Sequence, residues 1–86
     1  MPQISRFYGI VIYMYWGDHL PPHFHAHYGR DQAQVRIDPV GLLAGRLPPR
    51  ILAMVVEWAA LHRDELMADW ELAQSGASPN AIEGLP

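Results

Sequence analysis

Two consecutive runs between residues 23 and 38 alternate apolar and polar side chains, and this pattern constrains the fold more than any other feature. Phe24, Ala26 and Tyr28 alternate with His23, His25 and His27; Ala33, Val35 and Ile37 alternate with Gln34, Arg36 and Asp38. A period of two is that of an extended strand, whose successive side chains leave opposite faces. Directly paired residues of neighbouring strands share a face. A hairpin built from the two runs must therefore set the apolar residues together and leave the three imidazoles, Arg36 and Asp38 on the other surface. This parity demands an even loop. A turn at Arg30-Asp31 pairs His27 with Gln34, His25 with Arg36 and His23 with Asp38; a turn at Gly29-Arg30 shifts the pairing by two and keeps the faces.

The rest of the chain supplies what covers the apolar side. Ile4 to Trp16 is rich in β-branched and aromatic residues and reads as strand, with Gly9 marking a bulge or bend. Gly17-Asp18-His19-Leu20-Pro21-Pro22 is a loop by composition. Pro39 to Gly45 adds a short strand or turn. Pro48-Pro49 suits the first turn of a helix, and Ile51, Met54, Val55, Trp58 and Leu61 follow at helical spacing. Leu66, Met67, Trp70 and Ala73 form a second such set. One straight helix to Gln74 would be about 40 Å long, too long for so small a core, so a break is expected near Arg63. The expected fold is α+β: an antiparallel sheet of three to four strands with two C-terminal helices packed on one face. It is expected as one domain, with strands over about 4–46, helices over about 48–75 and an irregular tail over 76–86.

Composition narrows the function classes. The 86 residues include no cysteine, which excludes disulfides and thiolate metal sites. The net charge is −3 with six arginines and no lysine, which argues against a sequence-independent duplex binder. No stretch approaches the ~20 apolar residues of a membrane span, and the N-terminus lacks a signal pattern, so the cytoplasm is the expected location and no membrane partner is expected.

Three chemistries suit the histidine face. His23 and His25, with His27 or Asp18 as a third ligand, have the spacing to hold a divalent metal such as zinc; a set of His23, His25 and His27 is the all-histidine version. Without a metal or other cofactor, His23 and His25 serve as base and acid in RNA cleavage. Arg36 then steadies the developing phosphorane charge, Asp38 orients a histidine, and Tyr13 completes the catalytic set. Tyr15, Trp16 and His19 are the matching substrate-binding candidates. The third option is a non-catalytic module whose aromatic face binds a partner protein, with the histidines tuning the contact. Trp58, Trp70 and His62 are read as structural. The His-Phe-His-Ala-His string also spells the histidine-triad hydrolase pattern, but those enzymes are longer and carry further binding elements absent from this chain.

Nearly the whole chain resembles a bacterial family, domain of unknown function 4160. The resemblance is carried by Ile4 to Trp16, Asp18-His19, Pro21-Pro22-His23-Phe24-His25-Ala26, Leu47-Pro48, Glu57-Trp58-Ala59, Leu61-His62-Arg63, Glu65-Leu66, Trp70-Glu71-Leu72-Ala73 and Ile82-Glu83. His23, His25 and Tyr28-Gly29 match its signature, whereas His27 stands where the family commonly has an acidic residue. The resemblance implies a partner: members are often paired with a small protein of the family called domain of unknown function 2442, in an arrangement like type II toxin–antitoxin modules. It thus points to a toxin-like protein with a cognate small protein encoded nearby and RNA as the expected target. An antitoxin-like or regulatory interaction module is the alternative.

Overall fold

The computed structural model describes residues 2–86. Among these residues five strands, β1 (Gln3–Phe7), β2 (Ile10–Tyr13), β3 (His23–Tyr28), β4 (Asp31–Ile37) and β5 (Val40–Gly45), precede two helices, α1 (Pro49–Leu61) and α2 (Arg63–Gln74). The strands form one antiparallel sheet in sequence order. The class is α+β as expected, but the sheet has five strands, not three to four.

The extra strands have local causes. The run from Ile4 to Trp16 is a hairpin, not one strand, because Tyr8 and Gly9 both take positive φ (48° and 78°) and close a two-residue turn. Such a turn matches the natural twist of paired strands. Gly9 is a turn residue instead of a bulge. At the other edge, Ile37 pairs with Val40 and β4 continues into β5 with an irregularity between Gln34 and Val35.

The central hairpin takes the second of the two expected registers. Tyr28 pairs with Asp31, His27 with Gln32, His25 with Gln34 and His23 with Arg36. Gly29, at φ 58°, occupies the first turn position, where a side chain would be strained. The pairing of His25 with Arg36 and of His23 with Asp38 is therefore replaced.

One sheet face carries the core. Phe24, Ala26, Ala33, Val35, Ile37, Ile10 and Ile12 are buried there under Ile51, Val55 and Trp58 of α1 and Leu66, Trp70 and Ala73 of α2. Trp58 is its centrepiece. Its ring lies 5.2 Å from Phe7 and meets Phe24 edge-on at 5.6 Å, and its N–H donates to the Glu83 carbonyl at 2.7 Å. That bond gives the buried indole a partner and straps the tail across the helices. The tail is further fixed where Ile82 N–H donates to the Ile4 carbonyl at 2.7 Å. His62 ends α1 and begins α2, which is the break expected near Arg63.

Candidate functional site

The loop between β2 and β3 turns the open sheet face into a site. Three ties hold it against the end of α2: Gly17 N–H donates to the Ala73 carbonyl at 3.3 Å, the Gln74 amide donates to the Asp18 carbonyl at 3.0 Å, and Trp16 N–H donates to the Ala77 carbonyl at 3.0 Å. These bonds fix the backbone on both sides of Asp18. Its carboxylate then meets the start of β3, with Oδ2 2.9 Å from His25 Nε2 and 3.1 Å from His23 Nε2. Asp18, His23 and His25 each offer a ligand atom within 4.8 Å of the others. Alternation along β3 puts both rings on one face, and the tethered loop brings the carboxylate to them.

The two histidines are held differently. His25 makes a hydrogen bond with Asp18 Oδ2 and packs edge-on against Tyr15 at 4.3 Å. Its side chain keeps 17% of its exposure. It also borders a shallow depression of about 200 Å³ lined by Gln32, Ala33, Gln34, Ala44 and Gly45. His23 is fully enclosed, with a side-chain exposure of 0%. Its ring is stacked by His19 at 4.9 Å and lies 5.4 Å from Trp70 of α2. His23 Nδ1 lies 2.7 Å from the Pro21 carbonyl. An open face bearing all three imidazoles was expected; His25 and His27 meet that expectation and His23 does not, because the loop and α2 close over the start of the strand.

Electrostatics follow from this packing. Burial works to raise the Asp18 pKa, but hydrogen bonds from His25 and from the His19 backbone N–H, with the nearby imidazoles, hold it below the ordinary carboxylate range. Burial depresses the basicity of His25, with His23 and His27 adding to that effect, and Asp18 only partly offsets it. The Tyr15 hydroxyl is pushed up by burial and by the neighbouring Tyr13 and Asp18.

The remaining candidates divide into those the fold brings near and those it removes. Tyr13 and Tyr15 lie parallel at 6.2 Å, and Tyr13 touches His27 at 4.7 Å, so these rings form a row beside the trio. His27 belongs to that row and not to the cluster of ligand atoms. His19 caps His23 and hydrogen-bonds through Nδ1 to its neighbour's carbonyl at 3.1 Å. Trp16 is committed to the tail by its N–H. Arg36 shares the face, but its Nε donates to the Pro39 carbonyl at 2.9 Å. Asp38 lies beyond the end of β4 and pairs with Arg63 at 2.8 Å. The two residues expected to supply positive charge and to orient a histidine therefore have other partners. Sequence reasoning missed the Pro21 carbonyl, Gln74 and Trp70 as parts of the site. Only the ring of Trp70 left a trace, and its helical spacing pointed to the core.

Comparisons with known proteins add the family. A model described as Domain of unknown function (DUF4160) matches residues 9–71, a span running from β2 through most of α2 and containing Asp18, His23 and His25. No curated protein and no solved structure matches the chain. With nearly three quarters of its length aligned to that description, the chain belongs to the DUF4160 family.

Proposed function

We propose that this protein is the toxin-like member of a two-protein bacterial module and acts on RNA in the cytoplasm through the sheet face at Asp18, His23 and His25. One observation carries the site half of this reading: three groups of hydrolytic chemistry converge within 4.8 Å beside a row of aromatic rings. Tyr13, Tyr15 and His27 are flat surfaces of the kind on which unpaired bases stack, and stacking tolerates any base. Asp18 and His25 form a pair able to hold or pass a proton, with burial lowering the basicity of His25. The pairing with a second small protein that the family resemblance implies supports the module half.

The scheme differs from metal-free cleavage in one respect. Phosphoryl chemistry needs positive charge where the transition state becomes more anionic. Arg36 is engaged with the Pro39 carbonyl instead. That contact leaves the guanidinium charged but turns its Nε from the trio, so a second source of positive charge at the trio itself suits the scheme.

A second reading, a non-catalytic interaction module, is favoured by Trp16 and Leu20, large apolar side chains left 49% and 75% exposed around the site. There the same face binds the partner protein and the histidines tune the contact. Expressing the protein with and without its neighbour separates the readings. The toxin reading expects growth arrest that the neighbour relieves and that His25→Ala or Asp18→Ala abolishes. Equal growth in both cultures removes it, and a tight complex with no growth effect favours the interaction module.

A further inference from the structure

We infer that Asp18, His23 and His25 form a binding site for a divalent first-row transition cation, with zinc as the reference ion. This deepens the functional reading above, with which it shares the convergence of the three groups, by naming a source of positive charge there; the unpartnered nitrogen of His23 is its own evidence.

His23 is the residue that calls for a cation. A carbonyl oxygen only accepts hydrogen bonds, so the 2.7 Å contact with the Pro21 carbonyl places the ring proton on Nδ1. Nε2 of the neutral ring is then a bare lone pair. That nitrogen is buried and makes no hydrogen bond among the described residues. Asp18 Oδ2 lies 3.1 Å away but out of line with the direction in which Nε2 faces. A second ring proton, placed on Nε2, would point beside the carboxylate and not at it. A buried lone pair that faces a carboxylate oxygen and no donor is costly. A cation beside Oδ2 gives that lone pair an acceptor of its electrons and keeps the carboxylate paired.

The other two groups face the same point. His25 Nε2 lies 2.9 Å from the same Oδ2 atom. Ligands at zinc distances of 2.0–2.1 Å and tetrahedral angles stand about 3.3 Å apart. The 2.9 and 3.1 Å separations around Oδ2 are close to that spacing, all three ligand atoms lie within 4.8 Å of one another, and loading requires the imidazoles to close on the ion and loss of the His25–Asp18 proton.

The surroundings are those of a metal site. The Pro21 carbonyl fixes the tautomer and the ring plane of His23, as partners of metal-bound histidines do. Asp18 Oδ1 is occupied by the His19 backbone N–H at 2.9 Å, which leaves Oδ2 to face the imidazoles. Gln74 holds the Asp18 backbone from behind. Two imidazoles and one carboxylate suit zinc or iron(II), and three protein ligands leave a position for water or substrate on the side where His25 is exposed. His27, four residues along an extended strand from His23, stands about 13 Å away by Cα and is engaged with Tyr13. It is not a ligand.

The test uses the full chain, purified without an affinity tag, stripped with chelator and titrated calorimetrically with zinc chloride and, separately, cobalt chloride. The expected result is one saturable ion per chain. Asp18→Asn and His25→Gln are expected to weaken binding by about 10–100-fold or more, with near-UV circular dichroism reporting that both remain folded. His27→Gln and His62→Gln are expected to bind as the parent does. Substoichiometric uptake, unchanged binding in Asp18→Asn and His25→Gln, or an equal loss in His27→Gln overturns the proposal. The readout involves neither RNA nor growth. Ion binding without toxicity therefore leaves the site standing and removes the toxin reading, and toxicity in a chain that takes up no ion does the reverse.

Discussion

The two faces of this sheet are built from the same strands and obey different rules. On the covered face, Phe24, Val35 and Ile37 need only be apolar and of suitable size to pack beneath Trp58; non-directional burial assembles it. On the open face, the chemistry depends on which polar atom meets which. There His23 and His25 matter because a loop returns Asp18 to them at 3.1 and 2.9 Å, while Arg36 on the same face finds the Pro39 carbonyl instead. Alternation settles which residues share a face. Contacts from outside the sheet settle what that face can do.

The sharpest way to break this contrast is to damage each face in turn. Trp58→Ala removes a fully buried ring and the tail's anchor at Glu83. It should cost about 3–5 kcal/mol, a large part of the ~5–15 kcal/mol that holds a small domain together. Denaturant unfolding measures this, and a loss below 1 kcal/mol would show that the covered face does not rest on that ring.

Gln74→Ala probes the open face from a distance. It removes the amide that holds the Asp18 carbonyl, so metal affinity should fall by roughly 10-fold with a change of stability under about 1 kcal/mol. Calorimetry and thermal unfolding on the same sample read the two quantities. If stability falls while affinity holds, Gln74 is a fold residue and does not position Asp18.

Asp69 offers a pH test on the covered side. This carboxyl is 2% exposed. Burial raises its pKa, the Asn80 backbone N–H at 2.8 Å opposes the rise, and Glu65 adds to it. A raised carboxyl pKa contributes stability that is fully present below the unfolded value, near pH 4, and is lost as pH rises through the folded value. Asp69→Asn should therefore gain on the parent between pH 4 and 7 by a few degrees in Tm. An advantage that is flat across this range would mean that the ionised group costs nothing where it lies.

The smallest effect is expected at Asp38. Its pairing with Arg63 is exposed on both sides, and the hydrogen bond from Arg63 is what lowers its pKa. Surface ion pairs of this kind contribute little. Asp38→Ala should leave metal binding, growth effects and Tm as they are, and a loss of growth arrest would restore Asp38 to the catalytic scheme.

How much of this was legible in the sequence follows from the same contrast. The period of two from His23 to Ile37 set the faces of the central hairpin, and Gly29 then selected its register by accepting a positive φ. The first hairpin was hidden because Tyr8, a bulky residue, takes the left-handed conformation that composition reserves for glycine or asparagine. At the site, the pairing of His23 with His25 was readable as spacing. Asp18 was one of two candidate third ligands, and nothing local chose between it and His27. The choice was made by distant ties on the loop, from Ala73, Ala77 and the Gln74 side chain, the last of these 56 residues from Asp18. Burial of His23 was equally non-local, since Trp70 contributes from α2. Arg36 and Asp38 were placed near the histidines by face alone, and a face does not specify hydrogen-bond partners.

The metal site depends on His23 keeping a bare Nε2 beside Asp18, with its proton held on Nδ1 by the Pro21 carbonyl. Nitrogen-15 NMR of the histidine side chains in metal-free protein near neutral pH tests it atom by atom. His23 should carry its proton on Nδ1, and Nε2 should lose its free-imidazole signature when zinc is added, while His27 and His62 do not respond. A proton on Nε2 in the metal-free protein, undisturbed by zinc, would contradict it.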